Sequence, residues 1–269
     1  MALVINTNFA SLSAQRNLAT NSEKLATSVQ RLSSGLRINS AKDDAAGLVI
    51  SEGLRAQIRA TNVAVRNAQA GISMAQTAEG AMQEIGNMLG RMKELAEQAA
   101  SGTTDDNGRT ALDAEFQALS TEITRISGNT KFNGVDLLGG TTVDIQVGPG
   151  STDTVSFDIP DVAGLLTAVS GDLTSTTNAQ TALDALDNDI AAVAGARGDI
   201  GATQNTLEST IANLRVTSEN LSAADSSIRD TDFALETAQF TKNQILVQAG
   251  TAMVAQANVL PQAALQLLK

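Results

Sequence analysis

Between residues 183 and 221 the chain places one side chain of the same kind every three or four residues. Positions 183, 186, 190, 193, 197, 200, 204, 207, 211, 214, 218 and 221 alternate steps of three and four, and each is Leu, Ile or Val except Arg197, Gln204 and Ser218. A seam kept over more than five heptads needs partner helices along its whole length. Ile190, Val193, Ile200, Leu207, Ile211 and Leu214 are therefore expected to face a helical bundle. The polar exceptions either fix register at some cost in stability or face solvent where the seam widens.

The chain supplies such partners. Residues 45–100 are dominated by helix formers and contain no Pro, and Ile85, Met88, Met92, Leu95 and Ala99 step by three, four, three and four. A helix of roughly 55 residues runs on the order of 80 Å, which implies an elongated molecule. The Met residues read as packing atoms. Ser101–Gly108 is turn chemistry, and residues 109–127 return to helical spacing through Leu112, Phe116, Leu119, Ile123 and Ile126. The short connection makes these two helices antiparallel neighbours.

Two weaker amphipathic segments occupy the ends. Leu18, Leu25 and Leu32 recur every seven residues with Val29 between the last two, and a connector follows around residues 34–44. After a break near residues 223–227, Leu246, Ala249, Met253, Ala257 and Leu260 form a second stripe that runs up to Pro261. Both stripes are narrow and rich in Ala. Alone they bury little area against a backbone entropy of roughly 1–2 kcal/mol per ordered residue, so they are expected to order only against copies of themselves.

In the middle, Val143, Ile145 and Val147, then Val155, Phe157 and Ile159, alternate on either side of Gly148-Pro149-Gly150 and read as a β-hairpin. Residues 161–178 have no firm period and read as an exposed outer turn. The fold class is thus mainly α: a long antiparallel helical bundle or coiled coil, a small hairpin and paired terminal helices. Its segments are 1–44 (terminal helix and connector), 45–130 (inner helices), 131–178 (hairpin and turn), 179–224 (inner helix) and 225–269 (terminal helix).

Chemistry is sparse. The chain has no Cys, His, Trp or Tyr, which removes disulfides, thiolate zinc sites, cysteine nucleophiles and the commonest general base. Asp105-Asp106-Asn107-Gly108 fails as a calcium loop, because with Gly108 sixth the first and twelfth positions are Thr103 and Ala114. Gly139-Gly140 and Gly148-Pro149-Gly150 are turns, not phosphate cradles. The sequon Asn220-Leu221-Ser222 falls inside the seam. No enzyme activity and no cofactor is expected.

The first sixty residues carry seven Lys or Arg against four Asp or Glu, within a net charge of −11. An acidic chain without basic, aromatic-interleaved stretches is a poor match for nucleic acid. No segment approaches eighteen consecutive apolar residues, and the polar faces are Ser, Thr, Asn and Gln rather than Lys and Arg, so neither membrane insertion nor surface lipid binding is expected. MALVINTNFASL lacks the basic and apolar regions of a cleaved signal peptide.

The opening MALVINTNFASLSAQRNL, the block QRLSSGLRINSAKDDAAGLVIS, the segment NTKFNGVDLL and the ending QANVLPQAALQLLK resemble bacterial flagellins, in order and at both ends. The resemblance spans about residues 1–160 and 180–269. It implies a secreted structural subunit that self-assembles into the extracellular flagellar filament for motility. Terminal helices would form the filament core, inner helices the shell, and the outer insert of larger relatives would be nearly absent. A hook-filament junction protein of the same superfamily is the alternative.

The same resemblance implies export through the flagellar type III apparatus without cleavage. The implied partners are further copies of the chain, a flagellar export chaperone, the filament cap and hook-filament junction proteins. It also brings in the vertebrate innate receptor for flagellin, with Arg91, Leu95 and Glu115 as matching contact positions. Without the resemblance, Arg91 and Glu115 would read as solvated surface charges worth little.

Overall fold

The computed structural model describes residues 7–168 and 171–266, with 260–266 described by backbone alone. In chain order the elements are α1 (Phe9–Ser34), α2 (Ala45–Ala100), α3 (Asp106–Asn129), β1 (Lys131–Phe132), β2 (Val135–Asp136), β3 (Thr142–Gln146), β4 (Thr154–Asp158), α4 (Val162–Leu165), α5 (Thr176–Arg229) and α6 (Phe233–Gln266). They form two compact units. One holds the residues up to Ala56 together with those from Asn220 onward, and the other holds Gln57–Glu219.

In the Gln57–Glu219 unit the long seams do what their spacing dictates. Along α2 the buried positions include Ala75, Ala78, Met82, Ile85, Leu89, Met92, Ala96 and Ala99, again alternating three and four. Along α5 they include Leu186, Val193, Ile200, Leu207, Ile211 and Leu214. Met88 and Ile190, expected in the seam, are only partly buried and flank it, while Leu89 and Asp189 take the covered places. Phe116 and Ile123 of α3 join the same core. Asp105 caps α3 by accepting from the Gly108 amide at 2.8 Å, so the acidic run is a helix start.

The hairpin pairs β3 with β4 antiparallel, Val143 opposite Phe157 and Ile145 opposite Val155. Its inner face, Ile145 and Phe157, enters the core. The Asn67 amide anchors it to α2 through the Gln146 carbonyl at 3.1 Å. A second, smaller hairpin, β1–β2, is too short to leave a period in the sequence. Its turn is Asn133-Gly134 with φ of 49° and 84°, the dipeptide best suited to two left-handed positions in succession. That dipeptide was the available signal.

Among the described residues of 161–178, the expected exposed outer turn is partly covered. Val162, Leu166, Ala168 and Leu173 are buried in the core. Backbone groups that an exposed loop would leave to water are satisfied from the helices. Asp189, 1% exposed, accepts from the Thr167 amide, the Thr167 hydroxyl and the Ala168 amide. Asp113 accepts from the Leu173 amide and Gln117 donates to the Gly171 carbonyl. The apolar residues are too irregularly spaced to announce an element, and their partners lie far away in sequence.

Two expected boundaries also move. Residues 223–227 remain helical and the break falls at Asp230–Asp232, where Asp232 accepts from the Ala234 and Leu235 amides to start α6. At the far end, α6 does not stop at Pro261 but continues to Gln266.

Candidate assembly interface

In the unit built from the chain ends, α1 and α6 pair antiparallel, as the order of their contacts requires. Asn8 meets Ala257, Ser11 meets Asn258, and Arg31 meets Glu236. The side of α1 that is covered or half covered runs through Ser11, Ala14, Leu18, Asn21, Leu25, Ser28 and Leu32. On α6 it runs through Glu236, Phe240, Asn243, Val247, Gly250, Val254 and Ala257. Both series step by three and four, so this is a coiled-coil contact made largely of small and polar residues.

Small residues bring the helices close. A Cβ added at Gly250 would lie 3.2 Å from Leu18 Cδ1, so the leucine occupies the space that the glycine leaves. The polar layer sits nearer the other end of the pair. Glu236 is 7% exposed and its carboxylate stands 3.6 Å from Arg31 Nη1, with Ser28 and Asn243 also buried. Such a pair selects an alignment more than it adds stability.

The structure divides the stripes expected from the sequence. Leu18, Leu25, Leu32 and Ala257 belong to the α1–α6 contact. Leu246, Ala249 and Met253 do not: they lie about a quarter-turn around α6 and are exposed, Met253 at 61%. Val29 is likewise exposed while neighbouring Ser28 takes the covered place. The side chain of Leu260 lies outside the described residues, as do residues 1–6. Around Leu18 the division follows size, since Gly250 leaves the space that Leu18 fills and a side chain as large as Leu246 or Met253 would not.

The result is an apolar surface left without a partner. Among the described residues fourteen large apolar side chains are exposed, and eleven belong to this unit: Phe9, Leu12 and Val29 of α1, Val49 and Ile50 of α2, and Phe233, Leu235, Ile245, Leu246, Met253 and Val259 of α6. A soluble monomer rarely keeps so much apolar surface on one small unit. Charge is distributed in the opposite sense. Residues 57–219 hold nine Lys or Arg against 21 Asp or Glu, whereas the terminal unit holds nine against eight. Packing copies of a nearly neutral unit meets little repulsion.

The connector between α1 and α2 is pinned within the same unit. Gly35, at φ 72°, ends α1 in the left-handed conformation, and its amide bonds the Arg31 carbonyl. Arg37 Nη2 donates to the Ile228 carbonyl and Arg229 Nε to the Ile38 carbonyl, so the two chain breaks clasp each other. Amide and hydroxyl bonds from Ser40, with the Asn39 amide, hold the Asp43 carboxyl below its ordinary range.

Of the three residues proposed to meet an innate receptor, the structure brings two together and removes the third. Arg91 Nε donates to Glu115 Oε1 at 3.0 Å, and Arg91 Nη1 to Glu94 Oε2 at 2.8 Å. The bond to Glu94, then that to Glu115, raises the guanidinium above its ordinary value. Leu95 is 1% exposed and packs in the bundle core. It cannot be a surface contact, because its heptad position points at the partner helices.

Comparison with known proteins agrees with the helical ends. The family model described as the bacterial flagellin N-terminal helical region matches residues 5–142, and that of the bacterial flagellin C-terminal helical region matches residues 183–268. A flagellin of Halalkalibacterium halodurans is 49% identical, with 99% of this chain and all of that protein covered. A flagellin of Bacillus subtilis is 42% identical over 98% of this chain and 99% of that protein. Among solved structures, the crystal structure of Bacillus cereus flagellin is 33% identical with a TM-score of 0.52, covering 55% of this chain and 88% of its own.

Proposed function

This chain belongs to the bacterial flagellin family and is a structural subunit of the flagellar filament, and from that premise we propose that it polymerises through the uncovered faces of its terminal helices, which gain order as they pack. The observation that carries this reading is the gathering of exposed apolar side chains on the terminal unit, Leu235, Leu246 and Met253 of α6 foremost. Each would leave water on contact with a further copy, at about 25 cal/mol per Å² of apolar area. The α1–α6 contact, rich in Ser, Asn and Gly, is too weak to order the ends without that addition.

On this reading the ends form the filament core, and residues 57–219, with their acidic surface, form the shell. The subunit leaves the cell through the flagellar type III apparatus. An export chaperone covers the apolar face of α6 until assembly, and the filament cap and hook-filament junction proteins bound the polymer. An innate receptor would meet Arg91 and Glu115 on the shell and not Leu95.

The test is electron microscopy of purified chain before and after seeding with filament fragments, beside a form lacking residues 1–40 and 230–269. Long filaments from the full chain alone are expected. Filaments from the truncated form would remove the role given to the ends, and short rings from the full chain would favour the junction-protein reading.

A further inference from the structure

The seam of α5 is interrupted by Arg197 and Gln204, one heptad apart, and both turn to the same side chain on the facing helix. Gln204 Nε2 donates to Glu79 Oε2 at 3.0 Å, and Arg197 Nη2 stands 3.8 Å from Glu79 Oε1. Eight residues before Glu79, Gly71 leaves a hollow: a Cβ there would lie 2.5 Å from Ile145 Cδ1 and 3.3 Å from Leu207 Cδ1. One point of α2 therefore reads polarity on α5. The other reads size, and shares its hollow with the hairpin.

We propose that Glu79 and Gly71 form a two-point lock that holds α2 and α5 in a single register and thereby fixes where the β3–β4 hairpin sits on the bundle. Apart from Ser218 and the buried Asp189, the remaining seam positions of α5 are Leu, Ile and Val, and after a slip of one heptad each of these would still meet an apolar partner. Glu79 would not. Slipped one way it faces Ile190 and Arg197, and slipped the other way Gln204 and Ile211, so it keeps only one of its two donors. In either case Leu207 leaves the Gly71 hollow, and Ile145 loses the side chain with which it fills that space.

The absence of cysteine makes the register directly readable, because introduced pairs are the only thiols. A Cβ at Gly86 would lie 3.9 Å from Val193 Cγ1, so Gly86→Cys with Val193→Cys reports the native alignment. Gly86→Cys with Ile200→Cys, or with Leu186→Cys, reports a slip of one heptad either way. With Glu79 intact, the native pair should oxidise readily and the slipped pairs hardly at all.

Replacing Glu79, Arg197 and Gln204 together by Leu should raise slipped product about tenfold, with a higher melting temperature and faster hydrogen exchange in β3. Glu79→Gln keeps the side-chain volume but loses the charge facing Arg197. Run in parallel, it should raise slipped product about threefold. Native-pair product alone in both variants, with β3 exchange unchanged, overturns the proposal.

Discussion

Asn8 Nδ2 donates to the carbonyl of Ala257 at 2.8 Å. This is the α6 carbonyl that Pro261, four residues on and lacking an N–H, leaves without a helical donor. The same side chain accepts from the Ser11 amide at 3.1 Å and so caps α1. One asparagine thus caps the first helix and satisfies the carbonyl that the proline leaves open in the last.

Asn8→Asp separates the two roles, since a carboxylate still caps α1 but cannot donate to Ala257. It should cost the α1–α6 pair about 1 kcal/mol, read as a lower depolymerisation temperature of filaments. On that background Pro261→Ala should recover the loss, because residue 261 then supplies the missing N–H. Equal losses in Asn8→Asp with and without Pro261→Ala would break the connection.

At Gly250 a larger side chain meets Leu18. Gly250→Leu should weaken the terminal pair by about 1–3 kcal/mol through overpacking. Combining it with Leu18→Ala should restore part of the loss. Seeded polymerisation rates and depolymerisation temperature measure both.

The buried carboxylate of Asp189 holds residues 167 and 168 by three hydrogen bonds. Asp189→Ala leaves those donors unpaired, and a cost of about 2–3 kcal/mol is expected in chemical denaturation. Hydrogen exchange should quicken at 167 and 168 first. Uniform loss of protection across the bundle would speak against a local strap.

Leu95→Ala and Arg91→Ala should part company. Truncating a fully covered leucine costs about 2–5 kcal/mol, whereas removing a solvent-exposed arginine should leave stability almost unchanged. If monomers of Arg91→Ala lose binding to the innate receptor while keeping their melting temperature, the surface contact stands. Equal destabilisation by the two changes would contradict the burial seen for Leu95.

Acid should loosen two loops. The Asn178 amide, then Thr174, holds the Asp172 carboxyl below its ordinary range, as Ser40 and Asn39 hold that of Asp43. Because these folded values are depressed, the stabilisation is complete above the ordinary carboxylate range and disappears as pH falls through the lowered values. NMR titration of the Ser40 and Thr174 amides should show both transitions below that of a free aspartate. Midpoints at the ordinary value would overturn the assignment.

The long helices were legible in the residue order, because periodicity is a local property written once per turn. Residues 45–100 are α2 to the residue, and the seam from Leu186 to Leu214 is buried largely as its spacing requires. The β3–β4 hairpin was legible too, through its alternation about Gly148-Pro149-Gly150. Which of two stripes on α6 would cover α1 depends on packing between distant segments, since both step by three and four, and closeness of approach favoured Gly250 where Leu18 packs.

The same holds for the covered residues near 162–173, where amides find acceptors at Asp113 and Asp189, and for the α6 carbonyl that Pro261 leaves open, which Asn8 from the far end of the chain satisfies. Leu95 and Arg91 illustrate the division within one turn of helix. Residue type marked both as belonging to the family's pattern, but only packing decided that one is core and the other surface. A hydrogen bond or a covered face between distant residues leaves no periodic trace in either segment, which is why the structure was needed to find it.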